Sequence, residues 1–315
     1  MRQPPQVYRR RRAAALAAAA AGVLLVAIVL RACGGDVAAP APRSQANVAV
    51  RPAPEQLPGG GRRIFPDHRV VAFYGAPQSD QLGALGIGTP AQAGRRLRRV
   101  ARGYAKKSRP VLPAFELLAT IAAAHPGDDG LYRLQQPDEI IDRYLRAARR
   151  SKSLLVLDIQ PGRSDFLGEA RRLERWLREP DVGIALDPEW HAGPTEIPGQ
   201  TIGSATADEI NQVARYVSGI VRSGDLPEKL FVVHQFTEGM IANKPGVLRL
   251  PGLAVTFNAD GFGDRANKVS KYELFTSELP RADDGFKLFF EEDTNLMSPR
   301  EVLALHPPPD LVVYE

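Results

Sequence analysis

Only one cysteine, Cys33, stands in the sequence, which excludes an intrachain disulfide and any metal site built on several thiolates. No glycine-rich G-x-G-x-x-G turn follows the first strand-like run, so a dinucleotide site has no support. The five histidines (His68, His125, His191, His234, His306) show neither His-x-His nor His-Glu-x-x-His spacing. No catalytic metal and no organic cofactor are therefore expected. A usable excess of positive charge is also missing. The net charge is +5, but residues 1–32 carry six arginines (Arg2, Arg9, Arg10, Arg11, Arg12, Arg31) and no acid. Taking these from the 41 Lys and Arg leaves 35 against 36 Asp and Glu. Nucleic-acid binding needs a basic surface to neutralise phosphates, so nucleic acid is not an expected partner.

What is present begins with the N-terminus. Arg9 to Arg12 precede an uninterrupted apolar run over 13–30. A cationic start followed by an apolar run is the pattern of exported chains, with the positive end kept in the cytoplasm. Next comes Leu30-Arg31-Ala32-Cys33-Gly34-Gly35, which resembles the lipobox of bacterial lipoproteins at Leu30, Ala32 and Cys33 and departs from it at Arg31. Two outcomes stay open: cleavage with lipidation of Cys33, or retention of 13–30 as an anchor helix. Both put the rest of the chain on the extracytoplasmic side of the cell membrane. Residues 34–65 are rich in Pro, Ala and Gly and read as a disordered tether. The division is thus 1–33 signal or anchor, 34–65 linker and 66–315 folded domain.

The hydrophobic fraction of 44% is enough for a large core. Eight β-rich runs occur at 69–75, 111–118, 153–160, 182–187, 229–236, 252–258, 286–291 and 310–314. Several are nearly all apolar, as strands covered on both faces are. Helical patterns lie between them at 91–107, 137–150, 165–178, 205–221, 266–276 and 299–305, with start signals at Thr206 and at Ser298 before Pro299. No clear helix occupies 237–251. Eight alternating units over about 250 residues fit a (β/α)₈ TIM-type barrel, with an open doubly wound sheet as competitor.

In such a barrel the reactive groups gather at the carboxyl ends of the strands. Those ends carry Tyr74, Glu116, Asp158, Asp187-Pro188-Glu189-Trp190, His234-Gln235, Asn258-Ala259-Asp260, Glu291-Glu292-Asp293 and Tyr314-Glu315. On the fourth run Gly183, Ala185, Asp187 and Glu189 share one face, because side chains two apart do. Small residues facing the lumen leave room beneath a carboxylate pair. One carboxyl with a raised pKa can protonate a leaving glycosidic oxygen while its neighbour stabilises positive charge, and Trp190 adds a sugar-stacking face. The stretch 182–190 resembles the fourth-strand D-x-E motif of chitinase-like and lysozyme-like barrel glycoside hydrolases. By that resemblance Glu189 is the general acid and Asp187 its helper. The two further aspartates of the chitinase-like pattern are replaced by Val182 and Ala185.

Glu116, Asp158, Glu238 and Asp260 are the candidates for a further carboxylate across the cup, with Asp158 and Asp260 favoured by position. Tyr74, Glu116, Trp190, Gln235, Asn258 and Asp260 are the candidate substrate-binding residues. Asp158, Asp187 and Glu189 also offer oxygen ligands for a hard cation. His234 alternates with Val233 and reads as a structural, hydrogen-bonded histidine turned toward the helices. The arginine-rich stretch from Arg95 to Arg102 reads as a solvated outer helix face. The expected function is an envelope glycoside hydrolase acting on a polysaccharide or cell-wall glycan. The alternatives are a non-catalytic barrel that binds such a component and a metal-assisted hydrolase of another class.

Overall fold

A computed structural model describes residues 55–279 and 283–315. The expected anchor, Cys33 and most of the tether lie outside the described residues. Among the described residues, no helix is long and apolar enough to cross a membrane.

Eight parallel strands close into a ring: β1 (Arg69–Gly75), β2 (Val111–Ala122), β4 (Leu154–Ile159), β5 (Val182–Leu186), β7 (Lys229–Gln235), β9 (Leu253–Ala259), β10 (Asp283–Leu288) and β11 (Leu311–Tyr314). β1 pairs with both β2 and β11, which shuts the barrel and excludes the open sheet. The short strands are β3 (Arg133–Gln135), antiparallel to the end of β2, and β6 (Ala205–Thr206) with β8 (Ile241–Ala242), which pair above the ring.

The outer layer holds α1 (Pro90–Ala101), α2 (Asp138–Arg150), α3 (Phe166–Arg172), α4 (Glu174–Leu177), α5 (Ala207–Gly224), α6 (Arg265–Ser277) and α7 (Pro299–Val302). The expected start signals act as caps. The Thr206 side chain accepts from Glu209 N while Glu209 Oε2 accepts from Thr206 N, and Ser298 and Glu301 do the same. Between β7 and β9 the chain makes only β8 and a 3₁₀ turn at Lys244–Gly246, in keeping with the missing helical pattern there.

Alternation divides each strand between two cores. Val71, Phe73, Phe115, Leu117, Ile184, Phe231 and Val233 pack against the helices, while Val70, Ala72, Ala114, Val156, Ala185, Val232 and Val313 fill the lumen. Leu57, Ile64 and Phe65 join the lumen cluster with Leu112, Leu154, Leu230 and Leu311 from the strand starts. They close the base, so the folded unit reaches back into the segment read as linker. The cup therefore opens at one end only.

Gly183 shows how tightly the fourth strand is set. A Cβ there would lie 2.6 Å from the Leu230 carbonyl oxygen, a backbone atom that cannot turn aside. Gly183→Ala is expected to cost about 1–3 kcal/mol by overpacking. A urea unfolding curve with an unchanged midpoint would refute this.

One strand differs from expectation. β10 runs Asp283–Leu288, three residues earlier than the predicted 286–291. Asp283-Asp284-Gly285 looks like a turn, yet it pairs in register with Thr256, Phe257 and Asn258 of β9. The shift makes Glu291, Glu292 and Asp293 loop residues, and Lys287, alternating with the helix-facing Phe286 and Leu288, points into the lumen.

Candidate active site at the barrel mouth

The carboxyl ends of the strands surround a cavity of about 140 Å³. Asp187, Glu189, Tyr74, Gln160, Lys287 and Glu315 supply its polar wall. Trp190, Phe236, Phe262 and Phe289 supply aromatic faces, and Leu118, Ile121 and Ala122 of the long β2 complete one side.

The fourth strand builds the acid pair. β5 ends at Leu186, and Pro188 starts a 3₁₀ turn over Pro188–Trp190, which swings Glu189 and Trp190 to the rim. Asp187 stays deeper, 3% exposed, with Oδ1 lacking a hydrogen-bond partner. Burial raises its pKa, partly offset by the charge on His234. Burial, helped by the charge on Asp260, pushes the Glu189 carboxyl up to about 8, so it carries its proton at neutral pH.

Opposite this pair runs a chain of charged groups that no sequence pattern brings together. Lys287 Nζ contacts Glu315 Oε2 at 2.8 Å and Asp260 Oδ2 at 3.0 Å, and lies 3.8 Å from the centre of the Tyr74 ring. His234 Nδ1 bonds Asp260 Oδ2 at 3.0 Å and Nε2 bonds Glu116 Oε1 at 2.9 Å. Both partners are carboxylates, so the ring donates from each nitrogen. Burial works against charge on His234 and Lys287, but the carboxylates around them raise both pKa values well above the ordinary range. Asp260 is held low despite its burial, chiefly by Lys287 and then His234. Burial lifts Glu315 to about 7 against the pull of Lys287.

His234 is thus corrected: it faces the lumen with Leu230 and Val232, while Phe231 and Val233 face the helices. It is hydrogen-bonded, as expected. Asp158 shares the lumen face with Leu154 and Val156 but sits one layer below the cavity. Its Oδ2 accepts from the Tyr74 hydroxyl at 3.2 Å, and the Gln160 amide donates to Tyr74 at 2.9 Å. Burial raises the pKa of Asp158 well above the usual carboxylate range. Glu116 and Asn258 are likewise buried and outside the cavity lining. Gln235 is buried at the end of β7 outside the cavity lining, and the exposed Glu238 is outside it too. Asp260, Tyr74 and Trp190 do line it. Glu292 lines the cavity from the loop after β10, while Asp293 pairs with Lys268 at 3.0 Å.

No protein-family profile and no curated protein sequence matches the chain. Among solved structures it is similar to a spore coat polysaccharide biosynthesis protein from Bacillus subtilis at 12% identity, with a TM-score of 0.43. That match covers 78% of this chain, which spans 59% of the other protein's length. A sialic acid aldolase from Ruminococcus gnavus aligns at 13% identity over 79% of this chain and 68% of its own, TM-score 0.40. An endoglucanase from the hyperthermophile Thermotoga maritima aligns at 9% identity over 81% and 88%, TM-score 0.41.

Proposed function

We propose that the barrel mouth binds a polysaccharide segment and hydrolyses a glycosidic bond, with Glu189 as general acid and Asp187 assisting. The observation that carries this reading is that Glu189, Asp187, Trp190 and a second carboxyl, Glu315, line one open cup, with burial pushing the Glu189 carboxyl up to about 8. Glycoside hydrolysis needs one carboxyl that delivers a proton and another that is ionised. Lys287 stabilises the ionised form of Glu315, while burial keeps the proton on Glu189. The aromatic faces of Trp190, Phe236 and Phe262 offer stacking for sugar rings. The N-terminal export pattern points to an envelope glycan as the polymer.

Lys287 argues against carbonyl chemistry through a Schiff base. A nucleophilic lysine needs a depressed pKa, and Lys287 is clamped between Asp260 and Glu315 with its pKa raised.

The reading predicts a bell-shaped pH profile of kcat/KM. Below about 7 Glu315 takes up a proton and the base is lost. Above about 8 Glu189 gives up its proton and the acid is lost. The check is reducing-end release from cell-wall and glucan polysaccharides across that range. Binding without release would leave the non-catalytic glycan-binding barrel in its place, and a rate flat through both values would remove Glu189 and Glu315 from the reaction.

A further inference from the structure

Beneath the cavity floor three side chains converge that the sugar chemistry does not use. Glu116 comes from β2, Asp158 from β4 and His234 from β7. Each presents one ligand atom, and the three atoms lie within 4.8 Å of one another. All three residues are at most 1% exposed. Neither Glu116 nor Asp158 has a lysine or arginine bonded to it among the described residues.

A second observation is independent of this convergence. The cluster's own Asp158 Oδ1 is fully buried and has no hydrogen-bond partner among the described residues, while Oδ2 accepts from Tyr74. A buried polar oxygen left unsatisfied calls for a partner or a cation. Lys287 does not fill that need, since its ammonium is committed to Asp260 and Glu315. The orientation of His234 fits the same role. Asp260 holds Nδ1, which aims Nε2 at Glu116, and a carboxylate behind a histidine is the usual outer partner of a metal-binding ring.

We propose that Glu116, Asp158 and His234 Nε2 hold one divalent cation of the Mn²⁺ or Zn²⁺ class. One imidazole with two carboxylates favours these ions over Mg²⁺ or Ca²⁺. Bonds of about 2.0–2.2 Å place neighbouring ligand atoms about 3–3.5 Å apart, which small side-chain rotations reach from the observed spacing. As the ion enters, the Nε2 proton of His234 and the proton that burial keeps on Asp158 both leave to solvent. Entry runs past Tyr74, whose hydroxyl caps Asp158 from the cavity side. The proposal stands apart from the glycosidase reading, and each can fail alone.

The test is calorimetric titration of the chelator-stripped full-length protein with MnCl₂ and with ZnCl₂. One equivalent is expected to bind, with a raised melting temperature. Asp158→Asn is expected to weaken binding by more than the roughly 10–100-fold typical of losing an outer partner. The exposed Glu238→Gln should bind as the parent does. If Asp158→Asn fails to fold, Mn²⁺ broadening of ring signals in the parent decides, and His234 should broaden before the other four histidines. Absence of stoichiometric binding at about millimolar metal would overturn the proposal and leave water on that oxygen. Equal affinity in Asp158→Asn, or broadening that begins at another histidine, would overturn it too.

Discussion

Glu189→Gln is expected to lower kcat and kcat/KM together by roughly 10²–10⁴-fold, the usual contribution of a positioned general acid. The amide keeps the shape and the hydrogen-bonding capacity of the protonated carboxyl but has no proton to transfer. KM should therefore hold, because binding to Trp190 and the phenylalanines is untouched. Folding should not suffer either. The Glu189 carboxyl has a folded pKa of about 8, above its value in the unfolded chain. Its contribution to stability is thus fully present below the unfolded value and is lost as pH rises toward 8. Gln has no charge to bury, so the variant should be at least as stable as the parent at pH 7 and increasingly so above it. Reducing-end assays beside thermal melts at pH 5 and pH 8.5 separate the two effects. An unchanged rate, or a loss of rate matched by a loss of folded protein, would reject Glu189 as the acid.

The sequence made this residue visible through composition on one strand. Gly183 and Ala185 are small, Ile184 and Leu186 are large, and only one assignment of faces fits a barrel whose lumen is narrow. That parity put Asp187 on the lumen face and Glu189 beyond it, where they stand. β7 offered no such contrast. Leu230, Val232, Phe231 and Val233 are all large and apolar, so either parity satisfies a strand buried on both faces. His234 could not be placed from that pattern, and its lumen position shows only in three dimensions.

The seventh barrel strand failed for a different reason. Turn-forming residues at 283–285 concealed the start of β10. Gly285 is tolerated in the strand because the Asn258 side chain fills the space where a Cβ would point. Placing the run at 286–291 puts its polar end at Glu291 to Asp293 and leaves Lys287 unmarked near its start, whereas Lys287 is the cation that organises the mouth. Glu315 was legible as a strand-end acid, but its pairing with Lys287 joins residues from adjacent barrel strands, a relation that no local pattern encodes. Contacts within one strand or one helix cap were readable, as at Thr206 and Ser298, while the charged chain from Glu315 to Glu116 spans five strands and was not.

That chain makes Lys287 the substitution with the largest expected effect on folding. Lys287→Met keeps the length of the apolar stem and removes the ammonium. Asp260 and Glu315 then lose their shared cation, and Asp260 keeps His234 and the Gly261 amide. Breaking a buried pair from one side leaves an uncompensated charge and typically costs about 3–5 kcal/mol. The Met side chain still packs on Tyr74 and Phe289, so little of the loss comes from an empty space. The double variant Lys287→Met, Asp260→Asn removes one of the stranded carboxylates and should recover much of the stability. Urea unfolding of the parent, the two single variants and the double variant gives the coupling between Lys287 and Asp260 directly. A coupling near zero would show that Lys287 contributes by packing alone. Glu315 would then lose the electrostatic reason for being ionised opposite Glu189.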